Sequence, residues 1–193
     1  MIRAVSFLCL GVFLLASGCA SRQARQSVKP IPGVTNASLH ILVDHTRRLP
    51  RSGTFDWGVC FFQIPSELKV DLAVLDQRLH EALLQELNKK GFTQKKQQPD
   101  YLVGYAVAGG DNVNELSLDA AYGADLVMPP LDPSTAIRYQ QGVLIVDIVD
   151  ARKKRLLWRG AITAGIDLNV NEEQKQRRIR AAVAELLRHF PKV

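Results

Sequence analysis

Cys19 is the side chain of this 193-residue chain best placed for chemistry. It closes the run Leu14-Leu15-Ala16-Ser17-Gly18-Cys19, directly after the apolar stretch Ala4 to Phe13, with Arg3 ahead of both. The apolar run is too short to span a bilayer, and Ala16 and Gly18 are small residues at the positions a signal peptidase reads. A thiol is the most nucleophilic side chain of that run, which makes Cys19 its candidate for covalent attachment of acyl chains. A single saturated chain anchors a protein only marginally, at ~0.8 kcal/mol per buried methylene, whereas two or three on one cysteine hold it durably. Of the other two cysteines, Cys9 departs with the leader. Cys60 is left alone, which excludes an intramolecular disulfide and predicts a buried, inert thiol.

The remaining constellations are weaker. Asp147, Asp150 and Arg159 are charges inside apolar strand patterns, where an unpaired charge is costly. The reading adopted for Asp147 and Arg159 is a cross-strand ion pair that fixes hairpin register. Asp167-Leu168-Asn169-Val170-Asn171 begins like a calcium loop, but Glu172 stands where the turn needs glycine and Arg178 where it needs glutamate. His80-Glu81 opens a zinc-protease pattern and fails at Leu84. His40, His45 and His189 are scattered without ligand spacing. There is no Gly-x-Ser-x-Gly elbow, phosphate-cradling glycine loop or Cys-x-x-Cys pair. The expectation is a non-enzymatic protein with no catalytic residue, no metal and no cofactor. The basic tip Arg152, Lys153, Lys154 and Arg155 is a candidate surface for phosphate-rich lipid heads or an acidic partner.

The elements that must position these residues follow from hydrophobic period. Residues 1–18 read as a cleaved signal peptide and 19–36 as a polar, proline-bearing, lipid-anchored linker. Leu39, Ile41 and Val43 alternate as a strand, and Phe55, Trp57, Val59 and Phe61 as a second, aromatic on one face. Asp71 to Lys90 carries Leu72, Leu75, Leu79, Ala82, Leu83 and Leu87 at helical spacing, capped by Asp71 and closed by Gly91. Phe92 to Lys95 and Tyr101 to Val107 predict two more strands. The polar segment at about 109–141 is longer than compact domains usually tolerate without function or disorder. Gly142 to Gly165 reads as a hairpin with Ala151 to Arg155 at its tip, setting Ile148 opposite Trp158 and Asp147 opposite Arg159. Asn171-Glu172-Glu173-Gln174 is a capping box for a last helix with Ile179, Ala182, Val183, Leu186, Leu187 and Phe190 on its buried stripe. Residues 37–193 thus form one α+β domain: a mixed, mainly antiparallel sheet of about five or six strands, with two helices packed on one face.

Without residues 1–18 the chain keeps 24 basic and 19 acidic residues, a formal charge of +5 with histidine neutral. In a cytoplasmic protein this excess would favour nucleic acid. Export excludes that class and leaves anionic lipid, lipopolysaccharide, acidic glycan or an acidic protein face.

The N-terminal pattern resembles a bacterial lipoprotein signal peptide, which implies a diacylglyceryl thioether on Cys19, cleavage before it and acylation of the new amino group; alanine at position 20 is similar to the outer-membrane sorting pattern. Further on, Tyr139-Gln140-Gln141-Gly142-Val143-Leu144-Ile145-Val146-Asp147-Ile148-Val149-Asp150, then Leu157-Trp158-Arg159-Gly160, then Arg188-His189-Phe190-Pro191 resemble a widespread, uncharacterised family of bacterial envelope lipoproteins. Its pattern is Y-x-x-G-x-L-x-x-D-x-x-D, W-R-G and a closing F-P. Pro99-Asp100-Tyr101-Leu102-Val103 resembles that family's central strand, and Phe55-Asp56-Trp57 its early aromatic strand. The resemblance spans about residues 37–191 and implies an α+β domain with a mixed sheet and two helices. It transfers no catalytic residue. The function it implies is a lipid-anchored accessory or binding module for envelope assembly, maintenance or transport. Such a module would sit on the inner leaflet of the outer membrane and face the periplasm, with an envelope protein or lipid as partner. The alternative is a periplasmic carrier of a lipid-like or other apolar ligand.

Overall fold

The computed structural model describes residues 24–26, 35–43, 48–109, 142–165 and 170–191. The described strands are β1 (Ala24–Gln26), β2 (Thr35–Val43), β3 (Gly53–Gln63), β4 (Phe92–Gln94), β5 (Tyr101–Ala108), β6 (Gly142–Asp150) and β7 (Arg155–Gly165). Helix α1 (Leu72–Lys89) and helix α2 (Glu172–Arg188) accompany them, with a short 3-10 turn at Ser66–Leu68. The strands form one sheet in the order β1-β2-β7-β6-β5-β3-β4. The ladders from β1 to β5 are antiparallel, and β3 pairs in parallel with both β5 and β4. The parallel part has a local cause, since α1 carries the chain back along the sheet between β3 and β4, as a parallel pair requires. The fold is the expected α+β class, with a mixed, mostly antiparallel sheet and two helices. Among the described residues no helix is long and apolar enough to cross a membrane.

Both helices begin at the caps that the sequence names. Asp71 accepts hydrogen bonds from the backbone N–H groups of Ala73 and Val74, and Asn171 and Gln174 form a reciprocal capping box. Gly91 closes α1 at φ +80°, a left-handed conformation that glycine adopts without strain. One sheet face packs on the helices through Leu39, Phe55, Val103, Tyr105, Val146, Ile148, Trp158 and Ile162, which meet Leu79, Leu83, Leu87, Val183, Leu186 and Leu187. Each such side chain removed from water contributes ~1.5–3 kcal/mol. On the other face Ala106, Ala108, Val143, Ile145 and Ala161 form a smaller buried cluster.

Three expectations need correction. Residues 19–36 do not all behave as an aperiodic tether, because Ala24–Gln26 pairs with β2, Ala24 opposite Ile41. The open edge of β2 offers backbone donors and acceptors that a passing extended segment satisfies. Second, β3 does not alternate without interruption. Its register against β5 shifts between Trp57, opposite Val103, and Cys60, opposite Tyr105. Three steps on β3 therefore match two on β5, the signature of a bulge. Phe55 and Trp57 are followed on the helix-facing side by Cys60 and Phe62, while Phe61 is left 40 % exposed. Third, Cys60 is only half-buried rather than sealed in the core. Except for Gly109, the segment at about 109–141 lies outside the described residues, as do the leader and Cys19.

Candidate functional site

The motif residues of the C-terminal half meet at the hairpin and under α2. Trp158 is fully buried, and its indole packs edge-on against Phe190, ring centroids 5.3 Å apart. Phe190 in turn lies 5.6 Å from Phe92, and its carbonyl accepts a 3.0 Å hydrogen bond from Lys90 Nζ. Gly160 makes room for that indole. A Cβ there would stand 2.8 Å from Trp158 Cζ2, nearer still to Cη2, and 3.1 Å from Leu186 Cγ.

On the face away from the helices, Arg159 Nε donates to Asp147 Oδ1 at 2.8 Å and Nη2 to Oδ2 at 2.7 Å. Asp147 is completely buried and Arg159 has 14 % of its side chain exposed, so this two-pronged pair is held largely out of water. At the hairpin tip Asp150 Oδ1 accepts from the backbone N–H groups of Arg152 and Lys153, at 3.0 and 2.9 Å. Arg152, Lys153 and Lys154 are exposed, whereas Arg155 is half-buried and already within β7, opposite Asp150. Asp100 receives hydrogen bonds from Thr54 N at 2.9 Å and Thr54 Oγ1 at 2.7 Å, which hold its carboxyl below the usual carboxylate range and tie the start of β3 to that of β5. Of the α2 basic residues, Lys175 pairs with Glu172 and Arg177 with Glu173. Glu172 also reaches Arg78 of α1 at 2.9 Å. Much of that charge is therefore balanced locally.

The cluster that the sequence does not announce lies where β3, β5 and α1 meet. The bulge turns Cys60 toward α1, where Asp76 and His80 stand one helical turn apart on the same face. Ligand atoms of Cys60, Asp76 and His80 all lie within 4.8 Å of one another. His80 Nδ1 is 3.3 Å from Asp76 Oδ2 and 3.0 Å from the Tyr105 hydroxyl, and it also lies 3.0 Å from the Asp76 carbonyl oxygen. The Tyr105 hydroxyl donates to Asp76 Oδ1. The Trp57 ring meets the His80 ring edge-on at 4.2 Å.

Burial pushes the Cys60 thiol up from its ordinary value, the Tyr105 hydroxyl opposes that shift, and the Asp76 carboxylate adds to it. Tyr105 is raised well beyond the normal phenol range, first by burial and then by its bond to Asp76, and so acts as a fixed donor. The sequence signal was the i, i+4 pair of Asp76 and His80 on a helix whose partner strand carries a cysteine. Strict alternation placed Cys60 on the wrong face, and this hid the constellation.

A family model described as "Domain of unknown function (DUF4136)" matches residues 53–192. This range contains the hairpin, the Trp-Arg-Gly segment and the closing Phe-Pro, and begins after β2. No curated protein matches the chain. Among solved structures, a DUF4136 family protein from Bacteroides thetaiotaomicron is similar at 11% identity and a TM-score of 0.47, over 77% of this chain and 92% of that one. The PelC dodecamer from Paraburkholderia phytofirmans is similar at 9% identity and a TM-score of 0.41, over 81% of this chain and 99% of that one. A PDZ domain protein from Parabacteroides distasonis is similar at 17% identity and a TM-score of 0.38, over 83% of this chain but 38% of that one. All three are distant likenesses.

Proposed function

The chain belongs to the DUF4136 family, and we propose that it is a lipid-anchored module that binds a partner in the cell envelope and catalyses nothing. One observation carries the reading: the side chains of the recurring motifs are taken up by the fold. Trp158 fills the core, Gly160 admits it, Asp147 and Arg159 neutralise one another, and Asp150 caps the hairpin tip. None of them is left presented to a substrate.

The binding surface in this reading is the outer edge of β3. Among the described residues, β4 covers that edge only opposite Gly53 to Phe55. From Asp56 to Gln63 the strand pairs, among the described residues, on its β5 side alone, and Phe61 of that stretch is exposed. An extended segment of an envelope protein can add to such an edge through main-chain hydrogen bonds. The anchor supports the same picture. Once Ala24 is fixed in the sheet, four residues separate it from Cys19, a span of at most about 18 Å at ~3.6 Å per residue. A tether of that length limits how far the β1–β2 side of the sheet can stand from the bilayer, and it leaves the β3 edge, at the other side of the strand order, free to meet a partner in the periplasm. The inner leaflet of the outer membrane is the location we propose.

The test has two arms in cells. Palmitate labelling should mark the wild-type protein in the membrane fraction and fail in Cys19→Ser, and a labelled Cys19→Ser protein refutes the anchor. A photo-crosslinker at Phe61 should capture an envelope protein, while one at the exposed Gln77 on α1 should not. Equal capture at both positions refutes the edge. A lipid-like molecule co-purifying in stoichiometric amount would turn the reading to a carrier.

A further inference from the structure

The cluster at the junction of β3, β5 and α1 has the chemistry of a metal site. Sulfur, imidazole nitrogen and carboxylate oxygen together suit a borderline cation such as zinc, whereas calcium and magnesium call for oxygen ligands throughout. We propose that Cys60, Asp76 and His80 bind one divalent transition cation of the zinc class. Tyr105 serves as the outer residue that orients the carboxylate.

The geometry supports this in three ways. Ligand atoms within 4.8 Å of one another can close around a cation that sits ~2.3 Å from sulfur and ~2.0–2.2 Å from nitrogen and oxygen by small side-chain rotations. The scaffold is rigid, because Asp76 and His80 share one helix and Cys60 is set on its face by the bulge of a paired strand. The outer shell is also in place. Tyr105, fully buried in the core, donates to Asp76, and the Trp57 ring fixes the plane of His80. The cluster is not sealed: the side chains of Asp76 and His80 remain 38% and 28% exposed. This leaves an entry path and a fourth coordination position for water.

Binding involves no oxidation or reduction. The Cys60 S–H bond gives its proton to solvent as the sulfur–metal bond forms, and His80 ligates as a neutral imidazole: a neutral ring carries its one proton on Nε2 when Nδ1 binds, and an imidazolium releases its Nδ1 proton to solvent. The inference does not depend on the lipid anchor or on the β3 edge, and it stands if either fails.

The test uses the full chain in detergent, stripped with a chelator and titrated with Co2+ and then Zn2+. The expected result is one Co2+ per chain, with a thiolate-to-cobalt charge-transfer band and the strong visible bands of a four-coordinate site, both displaced by Zn2+. Cys60→Ser should abolish the charge-transfer band. His80→Gln should keep it at saturating Co2+ while weakening Zn2+ binding by more than about tenfold, and Tyr105→Phe should weaken it by about tenfold. Circular dichroism checks that each variant is folded, and Asp76→Asn replaces any that is not. A charge-transfer band that survives in Cys60→Ser, binding below one ion per chain, or Zn2+ affinity unchanged in both Cys60→Ser and His80→Gln would overturn the site.

Discussion

Gly160→Ala is the smallest change that tests the packing of this protein. Glycine inside a strand ordinarily weakens it, and replacing it with alanine at an unstrained, roomy position stabilises by ~0.4–1 kcal/mol. Here the added methyl would stand 2.8 Å from Trp158 Cζ2 and 3.1 Å from Leu186 Cγ, inside contact distance on two sides. Trp158 cannot retreat, since it is fully buried and already in ring contact with Phe190. Overpacking of this kind costs ~1–3 kcal/mol, and for a domain of this size each kcal/mol lowers the melting temperature by ~2–4 °C. Gly160→Ala should therefore melt several degrees below the parent, against the rise that propensity alone would give. The cycle with Trp158→Leu isolates the cause. That change alone opens a cavity and costs less than the ~3–5 kcal/mol of a full truncation to alanine, but it removes the ring atoms the methyl meets. The double variant should then be less destabilised than the two single effects added, by ~1–2 kcal/mol. Urea unfolding of the four proteins reads all of these quantities. A Gly160→Ala protein as stable as the parent, or strict additivity in the cycle, would refute the close approach of Gly160 to the indole.

Replacing Arg159 with methionine removes both bonds to the fully buried Asp147 carboxylate and should cost ~3–5 kcal/mol, whereas Asp147→Leu with Arg159→Met should fold within about 1 kcal/mol of the parent. Loss of a distinct activity with stability intact in the double variant would instead mark the pair as functional. Asp100 predicts a pH signature. Its folded-state value is lowered by Thr54, so its contribution is fully present above the ordinary carboxylate value and is lost as the pH falls through the lowered one. The difference in melting temperature between parent and Asp100→Ala should stay constant from neutral pH down to about pH 5 and close in stronger acid; a gap unchanged at about pH 2 would remove Thr54 as the cause. Cys60 has the opposite sign. Its raised value makes the neutral thiol the native form, so metal-free parent protein should lose stability relative to Cys60→Ser as the pH climbs above 9.0, and parallel curves for the two would contradict its burial.

Most of the architecture could be read from the residues in order, because it depends on neighbours along the chain. The caps at Asp71 and Asn171, the stripe from Val183 to Phe190 and the opposition of Asp147 to Arg159 are local consequences of period and turn length. The pairing of Ala24–Gln26 with β2 and the direction of β3 against β5 were not legible, since both are set by which edges happen to lie open in space. The bulge after Trp57 matters most. Alternation by itself assigns Val59 and Phe61 to the face of Phe55 and leaves Cys60 on the other side. One extra residue, accommodated against β5, reverses that assignment and carries a thiol to a carboxylate and an imidazole 16 and 20 positions further along the chain. Periodicity reports which side chains share a face while a strand runs regularly. Where the strand must absorb a residue depends on the strand beside it, so the grouping of Cys60, Asp76, His80 and Tyr105 exists only once sheet and helix have packed.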